Sequence, residues 1–206
     1  MQGVSVNYYD EIKSACSLAL DGTRELDSLF GEFSPSKLSS TLNRQGERAE
    51  KMYALSRSLG NMLYDDFITP IEREDIVCII SAAVSLSDSV GEVLREMRVW
   101  GIGRGFGDAI EFSDLAKRCT LKISHIASEL ERFRKKPNII RSIRDVSEMA
   151  RGREKLYVDA MSALIKRTTS PSELVAWSGV YSRLDELLSR CAYLADAFGV
   201  AVIKNI

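Results

Sequence analysis

Apolar residues recur along this chain at alternating three- and four-residue steps. One stretch runs Ile76, Ile80, Ala83, Val90, Leu94, Met97; another runs Phe112, Leu115, Cys119, Ile123, Ile126, Leu130, Phe133. That spacing lines one face of an α-helix and predicts a seam in a helical bundle. No stretch alternates apolar and polar residues as a half-buried strand would. Five breaks punctuate the pattern. Ser34-Pro35, Thr69-Pro70-Ile71-Glu72 and Ser170-Pro171-Ser172-Glu173 put a hydroxyl cap before a proline, the last two with a glutamate three residues on. Asp108-Ala109-Ile110-Glu111 is a weaker start of the same kind, and Pro137-Asn138 marks the fifth break. Five breaks predict six helices. A helix of roughly 28 residues reaches about 42 Å, so the expected molecule is elongated.

The pattern repeats. Sliding the sequence by 101 residues lays Thr69-Pro70-x-Glu72 on Ser170-Pro171-x-Glu173. The same shift puts Ile79 on Val180, Ile80 on Tyr181, Ala83 on Leu184, Leu86 on Leu187, Val90 on Cys191, Val93 on Leu194 and Met97 on Phe198. A shift of 104 superposes Glu50-Lys51-Met52-Tyr53 on Glu154-Lys155-Leu156-Tyr157. The expected fold is all-α, six long antiparallel helices arranged as two repeated three-helix bundles. The first unit covers residues 1–100 and the second 108–206, with a glycine-rich linker at 101–107 between them. Gly101, Gly103, Gly105 and Gly107 recur every second residue and follow a helix rather than a strand, so they read as a hinge and not as a dinucleotide-binding loop.

Composition narrows the chemistry. With 206 residues, 45% hydrophobic and 28% charged, the chain can build a full globular core. A net charge of −1 leaves no field to attract nucleic acid, and no nucleic-acid partner is expected. The short basic run Arg132, Arg134, Lys135, Lys136 reads as a helix C-terminus complementing its dipole. Cys16, Cys78, Cys119 and Cys191 lie tens of residues apart with a single histidine, His125, which argues against zinc and for buried thiols in a reducing cytosol. His125 lies beside the apolar seam and reads as a structural residue, and Trp100 and Trp177 as packing. No signal peptide is visible, and the apolar stretch Ile76–Leu86 is short for a bilayer span, which needs about 20 residues. No nucleophile elbow or phosphate loop appears, and no enzyme is expected.

The decamer Phe67-Ile68-Thr69-Pro70-Ile71-Glu72-Arg73-Glu74-Asp75-Ile76 resembles the FITPxDREDI signature of the PhoU-like proteins that accompany Pit-type inorganic phosphate transporters. It departs from that signature at Glu72, where aspartate is usual. The chain end, from Arg190-Cys191 through Ala195-Asp196 to Val202-Ile203-Lys204-Asn205, is similar to the family's closing helix. Length, helix number and repeat agree, so the resemblance spans the chain. It implies a pair of three-helix bundles and a cytoplasmic accessory role in phosphate uptake, peripheral to the inner membrane face. The implied partner is an inorganic phosphate permease or a signalling protein. Glu72, Arg73 and Asp75 are its signature contacts, and leftover apolar positions leave room for a homo-oligomer.

PhoU relatives often bind metal through carboxylates four residues apart on a helix. The resemblance places the four pairs near Ala49 and Tyr53, at Val84 and Asp88, near Ala150 and Glu154, and at Asp185 and Ser189. No pair is intact. Asp88, Glu154 and Asp185 remain as candidate ligands for a divalent or iron-type metal ion, and no other cofactor is indicated. The leading expectation is a non-enzymatic regulator of phosphate transport acting through protein contacts. The second is a metal- or phosphate-sensing helical module, which would need intact carboxylate pairs.

Overall fold

The computed structural model describes residues 7–105 and 107–205, and all regular structure among them is helical. Helices α1 (Tyr8–Gly31), α2 (Pro35–Asp65) and α3 (Arg73–Val99) form the first unit. The second comprises α4 (Gly107–Glu129), a 3-10 turn (Leu130–Lys135), α5 (Ile139–Arg151), α6 (Arg153–Arg167) and α7 (Pro171–Lys204). The α5–α6 junction is Gly152, whose φ of −56° and ψ of −18° stay close to helical, so the two make one interrupted rod and the bundle has the six rods expected. A side chain at Gly152 would put its Cβ 3.1 Å from the Met149 carbonyl, which favours glycine there. At 34 residues, α7 runs for about 51 Å.

The capping chemistry works at two of the three proline starts. Ser34 Oγ accepts from Lys37 N at 3.2 Å and Ser170 Oγ from Glu173 N at 3.4 Å, each with proline at the first helical position. Thr69 does not cap. Its hydroxyl donates to the Ile71 carbonyl at 2.7 Å, Ile71 folds into the core, and α3 begins at Arg73. Asp108 is likewise no cap: it lies within the first turn of α4, where its carboxylate pairs with Arg167 at 2.5 Å and accepts the Tyr181 hydroxyl at 3.1 Å.

The glycine stretch starts with a helix stop. Gly101 takes a left-handed φ of 59°, which lets Ile102 N–H reach back to the Met97 carbonyl at 3.0 Å and buries Ile102. Phe106, in the expected linker, lies outside the described residues.

All seven residue pairs matched by the 101-residue shift between α3 and α7 are buried, so that register is the structural one. For the middle rods the burial pattern follows a shift of 105, one residue away from the Glu-Lys-x-Tyr match. Leu38, Thr41, Gln45, Leu55 and Leu59 fall on Ile143, Val146, Ala150, Ala160 and Leu164, all buried, whereas a shift of 104 would set buried Leu55 against exposed Asp159. The two units pack side by side, α1 along α4 and α3 along α7, over one continuous hydrophobic core. Within that contact Thr23 and Thr120 share a buried hydroxyl bond of 2.7 Å. Helix α3 is apolar and long enough to cross a membrane by composition, yet 61% of that window is buried in the bundle, which accounts for its hydropathy.

Candidate functional site

The decamer lies where three chain segments meet, at one end of the bundle. Arg73, the first residue of α3, reaches back to the end of α2. Its guanidinium donates to the Leu63 carbonyl at 2.7 Å and to the Asp66 carbonyl, two acceptors that the last turn of α2 leaves free. Asp66 in turn takes the Tyr8 hydroxyl at 2.7 Å, tying in the start of α1. Burial, followed by that carboxylate, pushes the Tyr8 phenol up to about 12. Asp75 is buried, at 4% exposure, and would be a costly isolated charge. Lys204 near the end of α7 neutralises it at 3.0 Å and reaches Glu72 at 3.1 Å, and Asn205 Nδ2 donates to the second Asp75 oxygen at 3.5 Å. Hydrogen bonds from Lys204 to Asp75 and then Glu72 raise the lysine's pKa. Arg134 closes the ring by donating to the Asn205 carbonyl at 3.0 Å, while its guanidinium lies 5.1 Å from the Phe133 ring centre.

Glu72, Arg73 and Asp75 thus direct their polar groups at their own chain, joining the start of α1, the α2–α3 connection and the end of α7. Arg73 has no role that is visible in local sequence. Its acceptors are carbonyls, and carbonyls carry no sequence signal. What the signature turns outward is its apolar beginning. Phe67 and Ile68, on the connection that Arg73 fastens, are 96% and 83% exposed, and Tyr64 in the last turn of α2 is 89% exposed.

The three candidate metal ligands lie apart. Asp88 on α3 accepts the Tyr53 hydroxyl at 2.8 Å, and that bond, ahead of burial, raises the tyrosine's pKa. Tyr53 and Asp88, which the resemblance put in two separate pairs, thus face each other across α2 and α3 as phenol and carboxylate. Asp185 on α7 pairs with Arg153 of α6 at 2.6 Å, and its other carboxylate oxygen is buried without a hydrogen-bond partner. Glu154 is exposed on α6. Among the described residues, no three His, Cys, Asp or Glu side chains gather as a metal-ligand set. These residues fit a cation poorly: a guanidinium sits on one carboxylate and a phenol on another, and neither donates a lone pair in that role.

Other candidate residues settle into packing or solvent. Cys16, Cys119 and Cys191 are buried and Cys78 half-buried, all as free thiols, and burial pushes Cys16 up to about 12. Trp177 is buried beside Tyr181, while Trp100 is partly exposed and donates to Glu96 at 2.8 Å. His125, expected beside the seam as a structural residue, is exposed on α4. The basic run caps no α-helix: it forms the 3-10 turn, with Lys136 paired to Glu129 at 2.9 Å.

Sequence reading missed one feature, an open groove on the second unit. A groove of about 700 Å³ runs between α5 and α7, with Ile140, Ile143, Val200 and Ile203 along it and Arg144 and Arg151 on its rim. Gly199 helps to open it, since a Cβ there would lie 3.4 Å from Ile143.

No protein-family model matches the chain. The UPF0111 protein YkaA of Bacillus subtilis (strain 168) is 24% identical over 139 residues, which cover 68% of this chain and 67% of that protein. Two solved structures from Shewanella oneidensis MR-1 overlay on 96% of this chain and on 100% of their own length, each at 10% identity. One is a PhoU-like protein, with a TM-score of 0.78; the other, named as a PhoU-like phosphate regulatory protein, gives 0.77. With six rods in two repeated units that overlay along nearly its whole length, this chain has the PhoU-like fold.

Proposed function

We propose that this protein is a non-catalytic accessory regulator of inorganic phosphate transport, acting in the cytoplasm by contact with a phosphate permease or signalling protein at the inner membrane face. The observation that carries this reading is the fold itself, since one overlay of nearly full length is with a protein named for phosphate regulation. The signature supports it independently. Its charged half is used to fix the α2–α3 connection, and its apolar half, Phe67 and Ile68, is presented to solvent. Monomeric proteins seldom expose adjacent large apolar side chains without a contact to make.

The carboxylates favour contact over metal sensing. Asp185 is already neutralised by Arg153, and Asp88 is occupied by Tyr53. The reading is tested by deleting the gene in its host and measuring uptake of radiolabelled phosphate, together with affinity capture from solubilised membranes. Altered uptake and a co-purifying permease or signalling protein are expected. Unchanged uptake, with no such protein captured, would refute it.

A further inference from the structure

The two halves differ at the groove. Under the registers that burial supports, Gly199 corresponds to Arg98 and Arg144 to Ser39. In the first half Arg98 crosses from α3 to α2 and donates to Ser39 Oγ at 3.2 Å, spanning the space between the helices. In the second half Gly199 has no side chain to reach across, and the space stays open. Ile102 shows the same contrast, buried at 7% exposure, while its counterpart Ile203 is 66% exposed. An apolar groove of this size is large enough to take several side chains.

The chain itself carries a piece that matches. The α2–α3 tip presents Tyr64, Phe67 and Ile68 beside Asp65 and Asp66, and the groove sets Ile140, Val200 and Ile203 beside Arg144 and Arg151. Neither aspartate nor either arginine makes an ion pair among the described residues. Glu148 and Asp196 also border the groove, and Asp196 already accepts the Ser147 hydroxyl at 3.0 Å. Tip and groove lie at the same end of the bundle, because Lys204 and Asn205, just past the groove, bond to Glu72 and Asp75, just past the tip. Arg73 holds the tip in shape, so docking it requires little ordering.

We propose that two copies of this chain associate end to end about a two-fold axis, each placing Phe67 and Ile68 in the α5–α7 groove of the other. A two-fold contact of this kind is self-complementary: tip meets groove twice. Each insertion buries Phe67 and Ile68 at about 150–250 Å² per side chain and covers a similar area of groove wall, so the two insertions together bury on the order of 1,600 Å², the size of a standard stable interface. The arrangement accounts for both an almost wholly exposed Phe-Ile pair and an unfilled groove, and it does not depend on the phosphate reading.

The test is sedimentation velocity of the full chain over the micromolar range, with far-UV circular dichroism to verify folding. Phe67→Asp spoils the tip and Gly199→Leu fills the groove; each loses both contacts in its own dimer and should weaken association by about a hundredfold or more. Mixed together they retain one intact tip and one open groove, and should associate better than either alone. Ile68→Cys mixed with Val200→Cys should form a cross-chain disulfide under mild oxidation that neither forms alone. A wild-type chain that stays monomeric overturns the proposal, as do variants that associate like wild type. A monomer that instead binds anionic lipid vesicles through Phe67 assigns the tip to a membrane and overturns it as well.

Discussion

Replacing Tyr181 with phenylalanine isolates the polar network at the opposite end of the bundle. The ring is fully buried on α7, stacked on Phe112 of α4 at 6.0 Å and tilted against Trp177 at 5.6 Å, and phenylalanine preserves all of that. What disappears is one hydroxyl, which donates to Asp108 at 3.1 Å and accepts from Arg167 at 2.7 Å. A hydrogen bond to a charged group contributes about 1.5–3 kcal/mol. Here Asp108 and Arg167 remain paired to each other and are partly open to water, at 29% and 32% side-chain exposure, so neither is stranded. The expected cost is therefore about 1–2 kcal/mol, well below the ~3–5 kcal/mol of deleting a buried aromatic ring. For a chain of this length each kcal/mol lowers Tm by about 2–4 °C, giving a drop of roughly 2–8 °C.

The pH dependence supplies a second readout. Burial first, and Asp108 next, hold the Tyr181 phenol above its usual value of 10. The folded chain then keeps a proton that the unfolded chain gives up. The stability tied to that proton is complete below the unfolded pKa of about 10 and is lost as the pH climbs beyond it. Urea unfolding of wild type and Tyr181→Phe from neutral pH to above 10 should show a constant gap that narrows at the alkaline end. A gap that widens there, or equal stability at neutral pH, would refute the reasoning.

Other substitutions check other links. Ser170→Ala should cost about 0.5–2 kcal/mol by removing a working cap, whereas Thr69→Ala should cost clearly less; equal losses in thermal unfolding would contradict the start of α3 at Arg73. Leu187→Ala, deep in the shared core, should destabilise by about 2–5 kcal/mol in chemical denaturation, and a loss under 1 kcal/mol would mean the site is not packed as described. Arg73→Ala should loosen the end of α2, read as faster amide exchange over residues 60–66 with the centre of α3 unchanged; unaltered exchange would show that its two carbonyl bonds contribute nothing.

The helices, their number and the pairing of α3 with α7 could be read directly from the chain, because periodicity and two of the proline caps act within one or two turns. The distant resemblance carried by Phe67 to Ile76 pointed to the right fold for the same reason, being a short local pattern. Thr69 shows where local reading stops. The same cap chemistry that starts α7 at Pro171 fails at Pro70, because burying Ile71 and tying Arg73 to α2 outweigh one hydroxyl bond. The one-residue slip in the middle rods arose the same way: the Glu-Lys-x-Tyr match is a surface likeness, while the true register is set by which residues face the core.

At the candidate sites the sequence supplied the residues and tertiary structure decided their partners. Asp185 meets Arg153 and Asp75 meets Lys204 across separations of 32 and 129 residues, and no helical period encodes such distances. The groove was illegible for a related reason. It is defined by a side chain that Gly199 lacks and by the gap between two helices, and empty space leaves no mark on a one-dimensional pattern. Sequence alone fixes what each rod would bury; only packing fixes what each rod leaves uncovered.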